Sequence, residues 1–240
     1  MAAALFIVAN VKDEGMKSRI KVDVAIVLLV IILSVVLFMF PSFYPKSLII
    51  DYWLDFLGYS LILKGVVLRM AARGHKRAHS QRGAGLVTSG LYGVVRNPMY
   101  LGSFVIGSGF VLLVWPWWTL PIFGAVFYLR FNRQMVKEEA YLKEVFKENY
   151  MNYYQIVRRV WPSWKSLMTI SMREAFAWSE LWSTKEKRLL LALPVLAIAL
   201  ETMQEWVVYH VVFLAQNLAI LGCSFFLIGL GFGVKYVISK

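Results

Sequence analysis

Six apolar runs alternate with polar, basic segments along the chain. Residues 22–40 and 48–70 approach or reach the roughly 20 residues that a helix needs to cross a bilayer. Residues 99–114 and 117–131 form two shorter arms around Trp115-Pro116-Trp117-Trp118. Residues 188–203 and 211–234 give a fifth and sixth run, the fifth carrying Pro194, which predicts a kinked or tilted helix. This pattern predicts an all-α protein, a polytopic membrane helix bundle of about six transmembrane helices including a short helical hairpin. Three zones follow: residues 1–82 with two spans and a basic loop, residues 83–164 with the hairpin, and residues 165–240 with a connector and two spans. The connector, 165–187, mixes apolar and charged residues in a way that suits a helix lying in the membrane interface.

Composition strengthens that picture. Hydrophobic residues make up 59% of the 240, too many for an ordinary soluble domain. The formal net charge is +12, and Lys and Arg concentrate in 10–21, 69–96, 130–187 and 235–240. The alternate turns hold Lys46 and otherwise acidic or neutral residues such as Asp51, Glu201 and Glu205. The positive-inside rule then predicts both termini on the cytoplasmic side. The basic excess borders the spans instead of forming a domain of its own, so it predicts attraction to the lipid bilayer and no nucleic-acid partner. Residues 2–9 are followed by Lys12, Asp13 and Glu14 and not by a small-residue cleavage site, which argues against a signal peptide. A single cysteine, Cys223, permits no intrachain disulfide.

The strip at 86–102 is where chemistry concentrates. Gly83, Gly85, Gly90 and Gly93 make a loop whose backbone can approach a ligand. Pro98 keeps Asn97 out of the α region and presets the first turn of the third span, where N–H groups lack helical partners. With Arg96 beside it, such a helix start suits a carboxylate or phosphate; Arg96 suits a membrane anchor equally well. Tyr92 and Tyr100 offer faces for an aromatic ring or a cation. Downstream, residues 133–157 taken as one helix bring Met135, Leu142, Val145, Phe146 and Asn149 near Glu138, with Glu139 at the edge of the stripe. A carboxylate facing that stripe needs a partner. Two remain open for Glu138: a basic neighbour such as Arg96, or a ligand's hydroxyl or ammonium groups. Gly107, with Gly102 and Gly109, predicts close helix approach in the hairpin, and Gly229 with Gly233 predicts a packing seam in the last span.

The ordered set Val87-Thr88-Ser89-Gly90-Leu91-Tyr92, Arg96-Asn97-Pro98-Met99-Tyr100-Leu101-Gly102, Glu138-Glu139, Phe146, Tyr150, Tyr154 and Arg158–Pro162 resembles the isoprenylcysteine carboxyl methyltransferase and phospholipid methyltransferase family. The similarity covers about residues 83–162. It implies S-adenosyl-L-methionine bound at the cytoplasmic side and a lipophilic methyl acceptor, without the glycine fingerprint of a Rossmann fold. The implied cofactor contacts are Leu86, Val87, Tyr92, Asn97, Pro98, Met99, Tyr100 and Glu138, to which the residue reading adds Gly90 and Arg96. Glu138, Asn97 and Arg133 are the expected catalytic residues, and Arg130, Gln134 and Tyr154 the expected substrate contacts. Two departures matter. The family's common Arg-His-Pro is Arg-Asn-Pro here, and Asn97 cannot serve as a general base. The position four before the glutamate, an Arg in prenylcysteine enzymes, is Gln134. His75, His79 and His210 read as structural or solvated groups. Two rival functions are an NADPH-dependent membrane reductase of sterol type, with Arg73, Arg77 and Arg82 meeting a 2′-phosphate, and a non-catalytic lipid-binding protein.

Overall fold

A computed structural model describes residues 28–45, 47–80, 85–164, 166, 175, 178–182 and 184–238. Two compact units emerge, residues 1–43 and 44–240. The first contains helix α1, Leu28–Phe38, so residues 22–27 of the first predicted span lie outside the described residues. The second contains α2 (Leu48–His79), α3 (Leu91–Val94), α4 (Pro98–Val114), α5 (Leu120–Ile156), α6 (Trp178–Trp182), α7 (Leu189–Tyr209) and α8 (Leu214–Ile238). The described residues are thus overwhelmingly helical, with one isolated parallel bridge between Val95 and Arg158.

Helix α2 is the spine. Its 32 residues span roughly 48 Å at 1.5 Å per residue, longer than the apolar stretch 48–70, so its basic last turns extend past that stretch. Helix α4 packs along it most extensively, with α6, α7 and α8 also in contact. The α2–α4 seam is built on glycine. A Cβ at Gly65 would lie 2.8 Å from the Gly102 carbonyl oxygen, and one at Gly109 would lie 2.6 Å from that of Gly58. Side chains at these positions would force the backbones apart, so small residues set the spacing. Gly107 instead faces the Phe123 ring of α5. The expected seam at Gly229 and Gly233 is not formed, since a Cβ at either would meet nothing within 4 Å among the described residues.

The hairpin turns at Trp115–Thr119, where the Thr119 hydroxyl donates to the Pro116 carbonyl at 2.8 Å. Its arms are unequal: α4 has 17 residues, whereas α5 continues for 37. Phe104 packs against Phe123 and Phe127 at 5.7 and 5.3 Å between ring centroids, and Phe131 lies 5.6 Å from Tyr100, so aromatic contacts join the arms over several turns. Helix α5 is not one regular helix. Lys147 has φ 44° and ψ −118°, a conformation rare outside glycine, and it resets the helical phase beyond that point.

Helix α7 runs through Pro194 without ending. Two described segments, Lys185–Tyr209 and Leu214–Gly231, are long and apolar enough to cross a membrane. Large apolar side chains also point outward from α5, α7 and α8, among them Leu129, Leu191 and Phe226. An apolar exterior of this extent suits a lipid surrounding. Most of the predicted interfacial connector, together with Arg82 and Gly83, lies outside the described residues.

Candidate active site

The strip is held at both ends by short, specific contacts. Gly90 turns the chain with φ 60°, a conformation that favours glycine. The His75 ring meets the Ser89 hydroxyl at 2.8 Å. Further on, the Arg96 and Asn97 N–H groups donate to the Arg158 and Arg159 carbonyls at 2.8 and 3.0 Å. This pairing ties the strip to the chain just after α5. Asn97 has φ −124° and ψ 59°, outside the α region as Pro98 demands. Tyr100 and Leu101 donate their N–H groups to the Asn97 carbonyl, leaving the N–H of Met99 as the donor available at this helix start.

The two adjacent glutamates of α5 have different surroundings. Glu139 is buried, and its Oε1 accepts from Asn97 Nδ2 at 3.2 Å and Arg159 Nε at 3.2 Å, with Arg96 Nη2 at 3.3 Å. The same Arg96 donates to the Tyr154 carbonyl at 2.6 Å, and its guanidinium lies 3.8 Å from the Tyr154 ring centroid. Arg96 is therefore neither a lipid anchor nor a spare anion receptor; its charge is committed to Glu139 and the Tyr154 face. Glu138 is exposed, and Tyr100 Oη and Gln134 Nε2 both donate to its Oε1, at 2.8 and 3.0 Å. Among the described hydrogen bonds none reaches its Oε2. The salt-bridge partner considered for Glu138 thus belongs to Glu139, and the carboxylate open to a ligand is Glu138.

A cavity of about 320 Å³ lies between the strip and α5, within the roughly 300–1,000 Å³ usual for small-molecule sites. Eight expected strip residues line it, Leu86, Val87, Tyr92, Arg96, Asn97, Pro98, Met99 and Tyr100, and Glu138 faces them. Gly90, Arg130, Arg133, Gln134 and Tyr154 do not line it. Arg133 is exposed, and Arg130 lies 5.7 Å from the Phe131 ring. Gln134 and Tyr154 adjoin the cavity only through their bonds to Glu138 and Arg96. For Gly90 the buried turn explains its placement. Asn97 lines the wall, but its amide also donates to the Arg159 carbonyl at 3.3 Å, so both described bonds hold the scaffold.

Tyr150, part of the resemblance but given no site role, and Tyr153, not singled out in the sequence, also line the cavity. Tyr153 Oη donates to the Tyr92 carbonyl at 2.7 Å. The Tyr150 hydroxyl is buried with no hydrogen-bond partner, as is Arg96 Nε, so the wall offers polar atoms that a ligand can satisfy. Burial, with the Glu139 charge adding to it, pushes the Tyr150 hydroxyl up to about 12. Burial likewise raises Tyr92 and Tyr153. All three stay neutral near pH 7. A second cavity of about 550 Å³ adjoins the first, sharing Lys76, Tyr92 and Met99 and adding Arg73, Arg77 and Lys185.

Comparison with known proteins meets this geometry directly. The family model for phospholipid methyltransferase matches residues 53–149, beginning in α2, earlier than the quoted motifs. Protein-S-isoprenylcysteine O-methyltransferase of Schizosaccharomyces pombe is 32% identical over 122 residues, which cover 48% of this chain and 51% of that protein. Protein-S-isoprenylcysteine O-methyltransferase B of Arabidopsis thaliana is 28% identical over 114 residues, covering 44% and 58%. The chain therefore spans little more than half the length of these curated relatives. No solved structure matches significantly. The resemblance read from the strip and the glutamate pair is borne out as a similarity: residues 53–149 match the phospholipid methyltransferase family model, and both relatives are isoprenylcysteine O-methyltransferases.

Proposed function

We propose that this chain is an integral membrane methyltransferase that binds S-adenosylmethionine in the 320 Å³ cavity and methylates a lipophilic acceptor. The observation that carries the proposal is the meeting of eight strip residues with Glu138 around one cavity, inside the segment matching the family model. In this reading the bundle has six spans, both termini lie on the cytoplasmic side, and the cavity opens there. The charge pattern along the sequence supports that orientation.

The residues fit the cofactor. Glu138 Oε2 is placed to accept hydrogen bonds from a ribose or an ammonium group, while Tyr100 and Gln134 hold the carboxylate through Oε1. The neutral rings of Tyr92, Tyr100 and Tyr150 favour a sulfonium cation. Leu86, Val87, Leu142 and Phe146 supply apolar walls that limit water. When bound, the cofactor supplies a methyl group already activated by its positive sulfur. The chain's contribution is then alignment of the reacting atoms. Asn97 is tied to Glu139 and has no basic nitrogen, so the site favours an acceptor that arrives as an anion. A prenylcysteine-type carboxylate fits this best, and a lipid headgroup is the alternative. The basic wall of Lys76, Arg77 and Lys185 in the second cavity suits either one's negative charge. The reductase reading loses force because Arg73 is held by Glu186 at 2.9 Å.

The test is label transfer from methyl-tritiated S-adenosylmethionine to a membrane lipid extract and to a farnesylated cysteine derivative. The reading expects label in an organic-extractable product, strongest with the carboxylate. Hydride transfer from labelled NADPH, with no methyl transfer, would overturn it.

A further inference from the structure

Outside the cavity, the last turns of α2, the strip and α6 converge on two histidines and a glutamate. His75 Nδ1 lies 3.3 Å from Glu180 Oε2, and His79 Nδ1 lies 3.7 Å from Glu180 Oε1. The three ligand atoms fall within 4.8 Å of one another. Four ligands around zinc at roughly 2.0–2.2 Å sit about 3.4 Å apart in a tetrahedron, so the two measured separations bracket that spacing. His75 and His79 are one helical turn apart, which puts both rings on one face of α2. The rings stack with centroids 4.0 Å apart and His79 Nδ1 donates to the His75 carbonyl at 3.0 Å, so the half-exposed His79 ring turns from that carbonyl to bind a metal.

Two further features point to a built site. The first is the hydrogen bond at the far side of His75. Its Nε2 meets Ser89 Oγ at 2.8 Å. An imidazole that binds metal through Nδ1 carries its proton on Nε2 and donates it to an outer oxygen, which fixes tautomer and ring orientation. The second is the approach of α6. A Cβ at Gly74 would collide with the Glu180 carbonyl group, so only glycine lets the α6 backbone settle where the Glu180 carboxylate reaches both rings. Leu181, the next residue, is anchored in the apolar cluster of Val66, Met70 and Ala71. His75 is buried and His79 is half exposed, so a metal would be held from inside and reached from outside, with a fourth position open to water.

We infer that His75, His79 and Glu180 form a binding site for a first-row divalent metal, zinc by its ligand set, that fastens α6 and the strip to α2. Nothing in this assignment depends on methyl transfer; it concerns residues outside the cavity lining. Zinc there would displace the proton between His75 and the carboxylate, and the Nδ1 proton that His79 donates to the His75 carbonyl at 3.0 Å, since metal-bound imidazole is coordinated through a deprotonated nitrogen.

The experiment uses the full chain in detergent, freed of any affinity tag and stripped with a chelator. Zinc is titrated in against a chromophoric competitor, and cobalt is added separately to read its visible ligand-field bands. One zinc per chain is expected, with cobalt bands of a four- or five-coordinate site. His79→Ala removes an exposed side chain and leaves the fold intact; it and Glu180→Gln should each weaken zinc at least about tenfold. Ser89→Ala, which removes the outer hydrogen bond, should weaken it about tenfold as well. His210→Ala should leave zinc affinity unchanged. Zinc uptake that is absent, or equal in the parent and in His79→Ala, would overturn the assignment and leave His75 and Glu180 as a proton-bridged pair.

Discussion

The two ends of α2 handle buried charge differently. At the cavity end carboxylates meet cations: Glu186 takes Arg69 and Arg73 at 3.1 and 2.9 Å, and Glu139 takes Arg96 and Arg159. At the opposite end Asp55, Glu201 and Glu205 are all nearly fully buried, and the partners described for the acids there are of another kind. Tyr209 Oη donates to the Pro45 carbonyl at 3.0 Å and approaches Asp51 at 3.5 Å, the Phe213 N–H donates to Glu205 at 2.9 Å, and Asp55 lies beside Glu201. One end is an ion-paired frame that leaves a single lining carboxylate, Glu138, facing a cavity. The other is a hydrogen-bonded clasp between α2, α7 and the start of α8. The difference separates a cavity frame from a helix attachment along one helix.

The comparison breaks most visibly at Glu139. Glu139→Ala strips the buried Arg96 of its partner, and loss of one member of a buried pair costs about 3–5 kcal/mol. Chemical unfolding in detergent should show that loss, and a change below about 1 kcal/mol would mean that Glu139 does not organise the cavity wall. Glu201→Gln acts at the other end. It keeps a hydrogen-bonding group beside Asp55, so a shift of about 1 kcal/mol is expected, with cofactor affinity unchanged. A shift in cofactor affinity there would join the two ends into one unit.

A smaller effect follows from pH. Tyr150 ionises near 12 in the folded chain and near 10 when unfolded. Its raised value adds stability that is complete below about pH 10 and is lost as pH climbs through 12. Cofactor binding should accordingly be flat from pH 7 to 9. A loss of affinity with a midpoint below 9 would show a wall hydroxyl ionising where burial forbids it.

Much of this architecture was legible in the sequence. The hairpin around Pro116, the start of α4 at Pro98 and the last two helices follow from apolar run length and proline placement. The strip's role as a cavity wall was legible too, because glycines and a pre-proline residue restrict where a chain can go. The phase of α5 beyond Lys147 was not, since nothing in an apolar count announces a positive φ at a lysine. Nor was the division of labour between Glu138 and Glu139. Helical periodicity identified a polar residue on an apolar stripe, but that stripe borders the cavity, and the buried glutamate is its neighbour. Which residue Arg96 pairs with depends on the return of the chain at Arg158 and Arg159 to the strip, a contact some 60 residues distant in sequence.

The central claim is that Glu138 faces the methyl donor while Glu139 holds the wall. Calorimetric titration of S-adenosylmethionine into the parent chain and into Glu138→Gln, each in detergent, tests it most directly. The account predicts one site in the parent and affinity lower by about 10- to 100-fold in the variant, the loss of a hydrogen bond to a charged group worth about 1.5–3 kcal/mol. Thermal stability should stay unchanged. Equal affinity in both proteins would contradict it.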